Sequence, residues 1–366
     1  MTVLQLCHSD TMRGPHATHV QPVQNKRRPA DIGHRMRGLT AAYRRTGADP
    51  PFSDPARNHG AAMEGYYWRL VHPEAGWVIV WLCGVCQGRG RSWATVALAA
   101  HPDGYLRHGT VEPAAGDFER FGARAGDVFR GSLHELRVRM GDDAWVQARL
   151  RPRVTWPRRA LGGLGLGQVV PGLAQYWHPV LLAADVEGEA CMGGRRVRLD
   201  GAHAYVEKNW GPGFAGRWWW GQANAFPDPD VGVAFAGGRL PMLGVSAAPT
   251  AVVVRLGERV LRFAPPLARV QVRVSAHDWH VRVRSPRHRL DLEGEAGGVE
   301  PHRLPVPDVA ERRVEMRSQQ VLAGRLRLRV HRGRHTVIDA VSDLAGLEFG
   351  EPSRERGSPP PAAPQS

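Results

Sequence analysis

The chain has 366 residues, enough for two modest domains or one large β structure, and it can bury a sizeable core without disulfide staples. Its formal net charge is +14, yet 47 of its 49 basic residues are arginine and only Lys26 and Lys208 are lysine, a bias of coding composition rather than of chemistry. The first thirty residues lack the continuous apolar core of a secretory signal, and the longest apolar run, about ten residues, is too short to cross a bilayer; the expectation is a soluble, cytoplasmic protein.

In chain order, residues 1–55 are polar, rich in Arg, His and Pro, and without sustained periodicity, which predicts a disordered or mobile N-terminal arm. From residue 56 onward, short alternating runs separated by Gly, Pro and Asp turns predict an all-β sandwich or barrel. The runs are Tyr66–Val71, Val78–Val85, Trp93–Ala99, Leu133–Val138, Trp145–Leu150, Ala251–Leu256, Val270–Val274, His280–Val283, Leu326–Val330 and Thr336–Val341. Helical periodicity is confined to two short candidates, Ala41–Arg45 and Val309–Arg313. Residues 351–366, ending SPPPAAPQS, predict a disordered tail.

Several motifs fail on their context. Cys83 and Cys86 form C-G-V-C inside the apolar run Trp77–Val85, where they point to opposite faces of a strand; the redox motif needs a helix N-terminus, so these thiols, with Cys7 and Cys191, read as reduced and structural. Gly163-Leu-Gly-Leu-Gly167 runs into Pro171 with no helix opening after it, so it is no phosphate cradle. No pair among the 17 histidines has metal-ligand spacing, and no P-loop or G-x-S-x-G is present; neither a metal nor a nucleotide cofactor is expected. The alternating strand Arg325–Val330 turns its arginines outward, with Arg282, Arg284, Arg287 and Arg289 nearby. No nucleic-acid motif accompanies them, and they read as a solvated face; a second reading is attraction to anionic lipid surfaces, a peripheral membrane contact.

The stretch Gly201–Phe226 carries the chemistry. It reads as two alternating runs around a Gly211-Pro-Gly213 turn, a hairpin. The first run places His203, Tyr205, Glu207 and Asn209 on one face and Val206, Lys208 and Trp210 on the other. In the second, Trp218, Trp220, Gln222, Asn224 and Phe226 share a face. Three consecutive tryptophans beside a carboxylate, amides and a tyrosine suit an apolar cavity with a small polar end.

Tyr205-Val-Glu-Lys-Asn-Trp-Gly211 followed by Trp218-x-Trp220-x-Gln222-x-Asn224-x-Phe226 resembles the signature of the tocopherol cyclase family. Met63-Glu-Gly-Tyr-Tyr-Trp-Arg69, Gly126–Ser132, Trp156-Pro157, Gln319–Arg327, Ala340–Asp343 and Leu347–Gly350 resemble further family elements in order, covering roughly residues 55 to 350. Tyr66 departs from the family's aromatic Trp, and Gln175–His178 matches only in part, so His178 is a weaker match. The resemblance implies two lipocalin-like β-barrel or sandwich units around an apolar cavity, placed at 56–185 and 186–350, the second carrying the hairpin. It also implies closure of a prenylated hydroquinone to a chromanol, with a prenylated quinol or another isoprenoid lipid as the small-molecule partner; with no such motif in the chain, no nucleic acid and no cofactor are expected.

Such closure needs a proton delivered to an alkene in a dry site, so a carboxyl with a raised pKa is required. Glu207 is the first candidate and Glu64, which shares a strand face with Tyr66 and Trp68, the second. Trp218 and Trp220 would stabilise positive charge through their ring faces, roughly 1–2 kcal/mol each when dry. Tyr205, Asn209, Gln222 and Asn224 would grip the quinol hydroxyls, with Tyr66, Trp68, Trp210, Phe226 and His178 completing the pocket. Lys208 either pairs with a carboxylate behind the wall or is turned inward by a bulge. Without the resemblance, the same residues read as a Glu–Arg pair closing a barrel end. On the same fold, a non-catalytic lipid carrier and a terpenoid hydratase or isomerase are the competing functions.

Overall fold

A computed structural model describes residues 38–88, 90–157, 161–242 and 245–351, the side chains of 240–247 excepted. Twelve strands form the first sheet: β1 (Met63–His72), β2 (Trp77–Cys86), β3 (Trp93–His101), β4 (Tyr105–Val111), β5 (Ala114–Gly116) and β6 (Gly122–Ala125). It continues with β7 (Phe129–Ser132), β8 (Glu135–Arg139), β9 (Ala144–Thr155), β10 (Tyr176–Met192), β11 (Arg195–Arg198) and β12 (His203–Gly211). The second sheet has eleven strands among the described residues: β13 (Arg217–Ala223), β14 (Val231–Met242), β15 (Val245–Ala247), β16 (Thr250–Leu256) and β17 (Arg259–Phe263). It is completed by β18 (Arg269–Val274), β19 (Asp278–Arg284), β20 (His288–Glu295), β21 (His302–Asp308), β22 (Arg313–Arg332) and β23 (His335–Gly350). Strand order is β4-β3-β2-β1-β12-β10-β9-β8-β7-β6-β5 in the first and β17-β16-β14-β13-β23-β22-β20-β19-β18 in the second. The protein is all-β, and each sheet is a nearly closed barrel.

Three cores follow from the alternation of side chains along strands. On β1, Tyr66, Trp68 and Leu70 fill the first barrel, whereas Tyr67 and Val71 point to a layer shared by both sheets. β12 splits in the same way, with Ala204 and Val206 inward and Tyr205 in the shared layer. On β13, Trp219 and Ala223 enter the second barrel while Trp220 joins the shared layer. Strands buried on both faces read as near-continuous apolar runs, which is why the sequence is richest in Trp, Tyr and Val here.

Every expected strand lies within an observed one except Leu133–Val138, whose first two residues fall in the bend before β8, and three further expectations differ. β12 and β13 are not a hairpin: β12 pairs with β1 and β10, and β13 with β14 and β23. The Gly/Pro turn therefore carries the chain from one sheet to the other, and the division expected at 185/186 runs through the middle of β10. Residues 309–312 are a turn between β21 and β22, because too few residues separate the strands for a helix to nucleate. Residues 38–45 are helical, enclosing the expected Ala41–Arg45, but the segment to residue 62 packs down, with Ala48 and Asp49 buried, rather than forming a mobile arm; the rest of both expected tails lies outside the described residues.

One cation ties the two sheets together. Arg69 on β1 is fully buried; its Nη1 donates to Gln222 Oε1 of β13 at 3.0 Å, and its Nη2 to the carbonyls of Leu322 (2.8 Å) and Leu344. Leu322 and Leu344 fall in the register shifts between β22 and β23, so the guanidinium satisfies carbonyls that the ladder leaves over. Burial pulls its pKa down to about 10, so it stays charged at neutral pH. Arg69→Met should lower unfolding stability by roughly 3 kcal/mol in urea denaturation, since it strands buried acceptors from both sheets; a loss below about 1 kcal/mol would contradict the pin.

Candidate active site

A cavity of about 550 Å³ opens between the sheets. Its walls are largely apolar, including Leu82, Leu166, Val170, Phe214, Leu304 and Val306, and its polar groups are few. Two of those are carboxyls, Glu207 and Glu348.

Glu207 is 4% exposed. One of its oxygens, Oε2, accepts three hydrogen bonds: from Tyr205 Oη at 2.7 Å, Trp177 Nε1 at 2.8 Å and Trp220 Nε1 at 2.9 Å. The donors come from β12, β10 and β13, so three strands and both sheets converge on a single atom. Among the described residues nothing bonds to Oε1. Burial pushes the Glu207 pKa up to about 7; the three donors oppose that rise and the Glu348 carboxylate adds to it. A carboxyl poised between acid and carboxylate at neutral pH, with one oxygen fixed and the other free, is therefore built into the wall.

Glu348 on β23 keeps part of its surface accessible and lines the same cavity. Its Oε1 accepts from Trp218 Nε1 at 2.6 Å and its Oε2 from Gln320 Nε2 at 2.8 Å. Burial raises its pKa as well, opposed by these two bonds and by the neighbouring Ser318 hydroxyl. Gln320 in turn accepts from Tyr67 Oη at 3.2 Å, which fixes the amide so that its nitrogen faces Glu348. Tyr67 stands edge-on to Trp220, with centroids 5.3 Å apart.

Tight backbone approaches make room for the indoles. Gly350 pairs with Trp218, and a Cβ there would lie 2.0 Å from Trp218 Cζ2; a Cβ at Gly346 would meet Arg69 Nε at 2.9 Å and Trp220 Cζ3 at 3.0 Å. The glycines of Gly346-Leu-Glu-Phe-Gly350 are thus what lets the rings lie flat on β23 beside Glu348.

Of the residues expected in the site, Glu207, Asn209, Trp218 and Trp220 line the cavity, and Tyr205 bonds directly to Glu207. Asn209 Oδ1 is buried without a partner. Tyr66 borders the cavity, but its hydroxyl donates to Glu64 at 2.8 Å. Glu64, Trp68, Lys208, Trp210 and His178 lie on the opposite face of the first sheet, because the register pairs Tyr66 with Lys208 and Tyr67 with Glu207. Gln222 sits behind the wall holding Arg69. Phe226 belongs to the second barrel's core, and both amide atoms of Asn224 are buried without partners and away from the cavity. His178 packs against Trp156, rings 5.0 Å apart, and burial pulls its pKa down to about 3.

Glu64 is not a free acid. Lys208 Nζ lies 2.9 Å from its Oε2 and 3.0 Å from His59 Nδ1, and the pair is fully buried. Despite burial, Lys208 and the His59 amide hold the Glu64 carboxyl below its usual range. His59 stacks on Trp210 at 4.1 Å and its Nε2 reaches Asp49 at 3.0 Å, with Arg44 also on Asp49. Since an ammonium only donates, Nδ1 of His59 is the acceptor and Nε2 carries the proton. This chain locks residues 44–64 behind β12, and with it the strand that presents Glu207.

Three contributors escaped the sequence reading. Trp177 is the neighbour of the His178 that was chosen, and Tyr67 of the chosen Tyr66; in both cases the error was one residue, which inverts the face. Glu348 carried a readable signal, a lone carboxylate in the otherwise apolar run Leu344–Gly350. Among the described residues no cluster of three or more His, Cys, Asp or Glu could hold a metal ion, and no helix is long and apolar enough to cross a membrane.

The fold and site define a class: a double β-barrel protein with an acid-bearing apolar cavity between its sheets. The sequence model described as "Tocopherol cyclase-like" matches residues 121–351. The chain belongs to the tocopherol cyclase-like family. It is 27% identical over 168 residues to a protein from Oryza sativa subsp. japonica named probable tocopherol cyclase, chloroplastic, covering 43% of this chain and 35% of that protein. To the Zea mays protein named tocopherol cyclase, chloroplastic, it is 25% identical over 218 residues, 55% of this chain and 45% of the relative. It therefore spans less than half the length of these relatives. A crystal structure of CghA with Sch210972 shares the fold, with a TM-score of 0.52 and 11% identity over 80% of this chain and 89% of that one.

Two outcomes test the site. Trp177 and Trp220 both donate to Glu207, so intrinsic fluorescence should titrate with a midpoint near pH 7 and lose that transition in Glu207→Gln. The folded carboxyl binds its proton more tightly than the unfolded one, so its contribution to stability is present at low pH. It should fall by on the order of 3 kcal/mol as pH rises to about 7, a slope absent in Glu207→Gln. Separately, Lys208→Met should cost about 3–5 kcal/mol by leaving Glu64 unpaired, and adding Glu64→Gln should recover a large part of it in thermal unfolding; equal losses in single and double variants would contradict the buried pair.

Proposed function

We propose that this protein closes the ring of a prenylated hydroquinone, giving a chromanol by protonation of the alkene and attack of the phenolic oxygen. The observation that carries this reading is Glu207, a buried acid whose three donors occupy one oxygen and leave the other facing an apolar cavity.

An alkene is a poor base, and the donor must be protonated yet unsolvated. Burial meets both needs, since it disfavours the ionised form before the reaction. The three donors then stabilise the carboxylate that appears as the proton leaves, so the same bonds favour the transition state over the ground state. The proton bonds to the less substituted alkene carbon, and the tertiary carbon becomes cationic. Trp218 and Trp220 line the space where that charge develops, and indole faces stabilise cations. The phenolic oxygen bonds to the tertiary carbon and its proton departs. Apolar walls keep water from capturing the cation, which would yield a tertiary alcohol. Membership of the tocopherol cyclase-like family supports the reaction class.

Purified protein incubated with phytyl- and geranylgeranyl-type benzoquinols should yield chromanols, detected by mass-neutral conversion and chromatography. Glu207→Gln should bind the quinol but lose turnover by at least about a hundredfold. Binding without conversion across the panel would indicate a carrier, and a product heavier by one water a hydratase.

A further inference from the structure

Ring closure must also remove the phenolic proton, and Glu207, having just given up its own, is committed to the alkene end. We propose that Glu348 is the catalytic base that takes this proton, so that two carboxyls of opposite role face one substrate across the cavity. The inference rests on the cyclase reading and assigns its second half.

The two carboxyls are bonded differently. Glu207 collects all three donors on Oε2, which leaves Oε1 to carry a proton. On Glu348 each oxygen already holds one N–H, from Trp218 on Oε1 and from Gln320 on Oε2. Neither of those groups can accept as oriented: an indole has no acceptor, and Tyr67 occupies the Gln320 oxygen. Both Glu348 oxygens are therefore prepared as acceptors; with the Ser318 hydroxyl as the one further neighbour, the carboxylate keeps a lone pair for a phenol. Burial raises the Glu348 pKa too, and whenever Glu348 is ionised its charge favours the protonated form of Glu207.

Spacing supports the pairing of roles. Trp220 holds Glu207 and Trp218 holds Glu348, and these tryptophans stand two residues apart on one face of β13, roughly 7 Å along the strand. An aromatic head group with its first prenyl alkene spans such a gap. In the balanced step, the Glu207 O–H bond breaks and a C–H bond forms on the alkene; a C–O bond forms as the phenolic O–H breaks toward Glu348. The products are chromanol, Glu207 carboxylate and neutral Glu348, and proton exchange with solvent on product release restores the starting state.

The test runs the folded full-length protein in D2O with a prenylated quinol, following ring closure and deuterium entering the prenyl chain of unreacted quinol. Glu348→Gln should slow closure by at least about a hundredfold while deuterium still enters through Glu207; Glu207→Gln should lose both. Glu348→Asp, which keeps the charge on a shorter stem, should retain closure at a reduced rate with exchange unchanged, and it serves if the Gln variant does not fold. Closure at the wild-type rate in Glu348→Gln, or exchange and closure falling together in either Glu348 variant, overturns the assignment while leaving the cyclase reading intact. A wild type that closes no quinol overturns that reading and this assignment with it.

Discussion

The structure depends on one oxygen atom. Three hydrogen bonds from three strands in two sheets end on Glu207 Oε2, and no protein cation stands among them. A guanidinium in their place would have ionised the group and made it a strut. Neutral donors allow the carboxyl to remain a buried acid while still holding it in one orientation. The contrast lies one residue away: Lys208 ionises Glu64 on the far face of the same strand pair. Adjacent positions on β12 thus serve opposite ends, charge pairing behind the wall and proton chemistry in front of it.

That division explains the fold around it. A strand can offer Glu207 to a cavity only if its other face is secured, and β12 is secured twice. Ala204 and Val206 pack into the first barrel, and Lys208 joins Glu64, His59 and Asp49 in a buried chain. Between the sheets, Arg69 fixes them against each other through carbonyls freed by irregular pairing of β22 and β23. The cavity exists because the two barrels meet through tryptophans over glycines rather than by full interdigitation of side chains.

Much of this was legible in the residues. Alternating runs gave the strands, and Tyr205-Val-Glu-Lys-Asn-Trp-Gly211 marked the strand that carries the acid. What sequence periodicity could not supply was which sheet each strand joins. The turn after Gly211 looks like a hairpin turn, yet it crosses between sheets, because local turn chemistry is the same in both cases. For strands buried on both faces, alternation also no longer says which face meets the cavity. That is why Tyr66 and His178 stood in for Tyr67 and Trp177, whereas Glu207 was unambiguous as the only carboxylate in its run. Glu348 lies far away in sequence and comes near Glu207 only through the pairing of β13 with β23.

The central claim, an uncharged Glu207 in a dry cavity, is tested most directly by infrared difference spectroscopy at pH 6, where ordinary surface carboxylates are ionised. Wild-type protein minus Glu207→Gln should show the carbonyl stretch of a protonated carboxylic acid, shifted on transfer to D2O and lost as pH is raised through about 7. A difference spectrum at pH 6 carrying only carboxylate bands would mean that Glu207 is ionised, and the account of the site would be wrong.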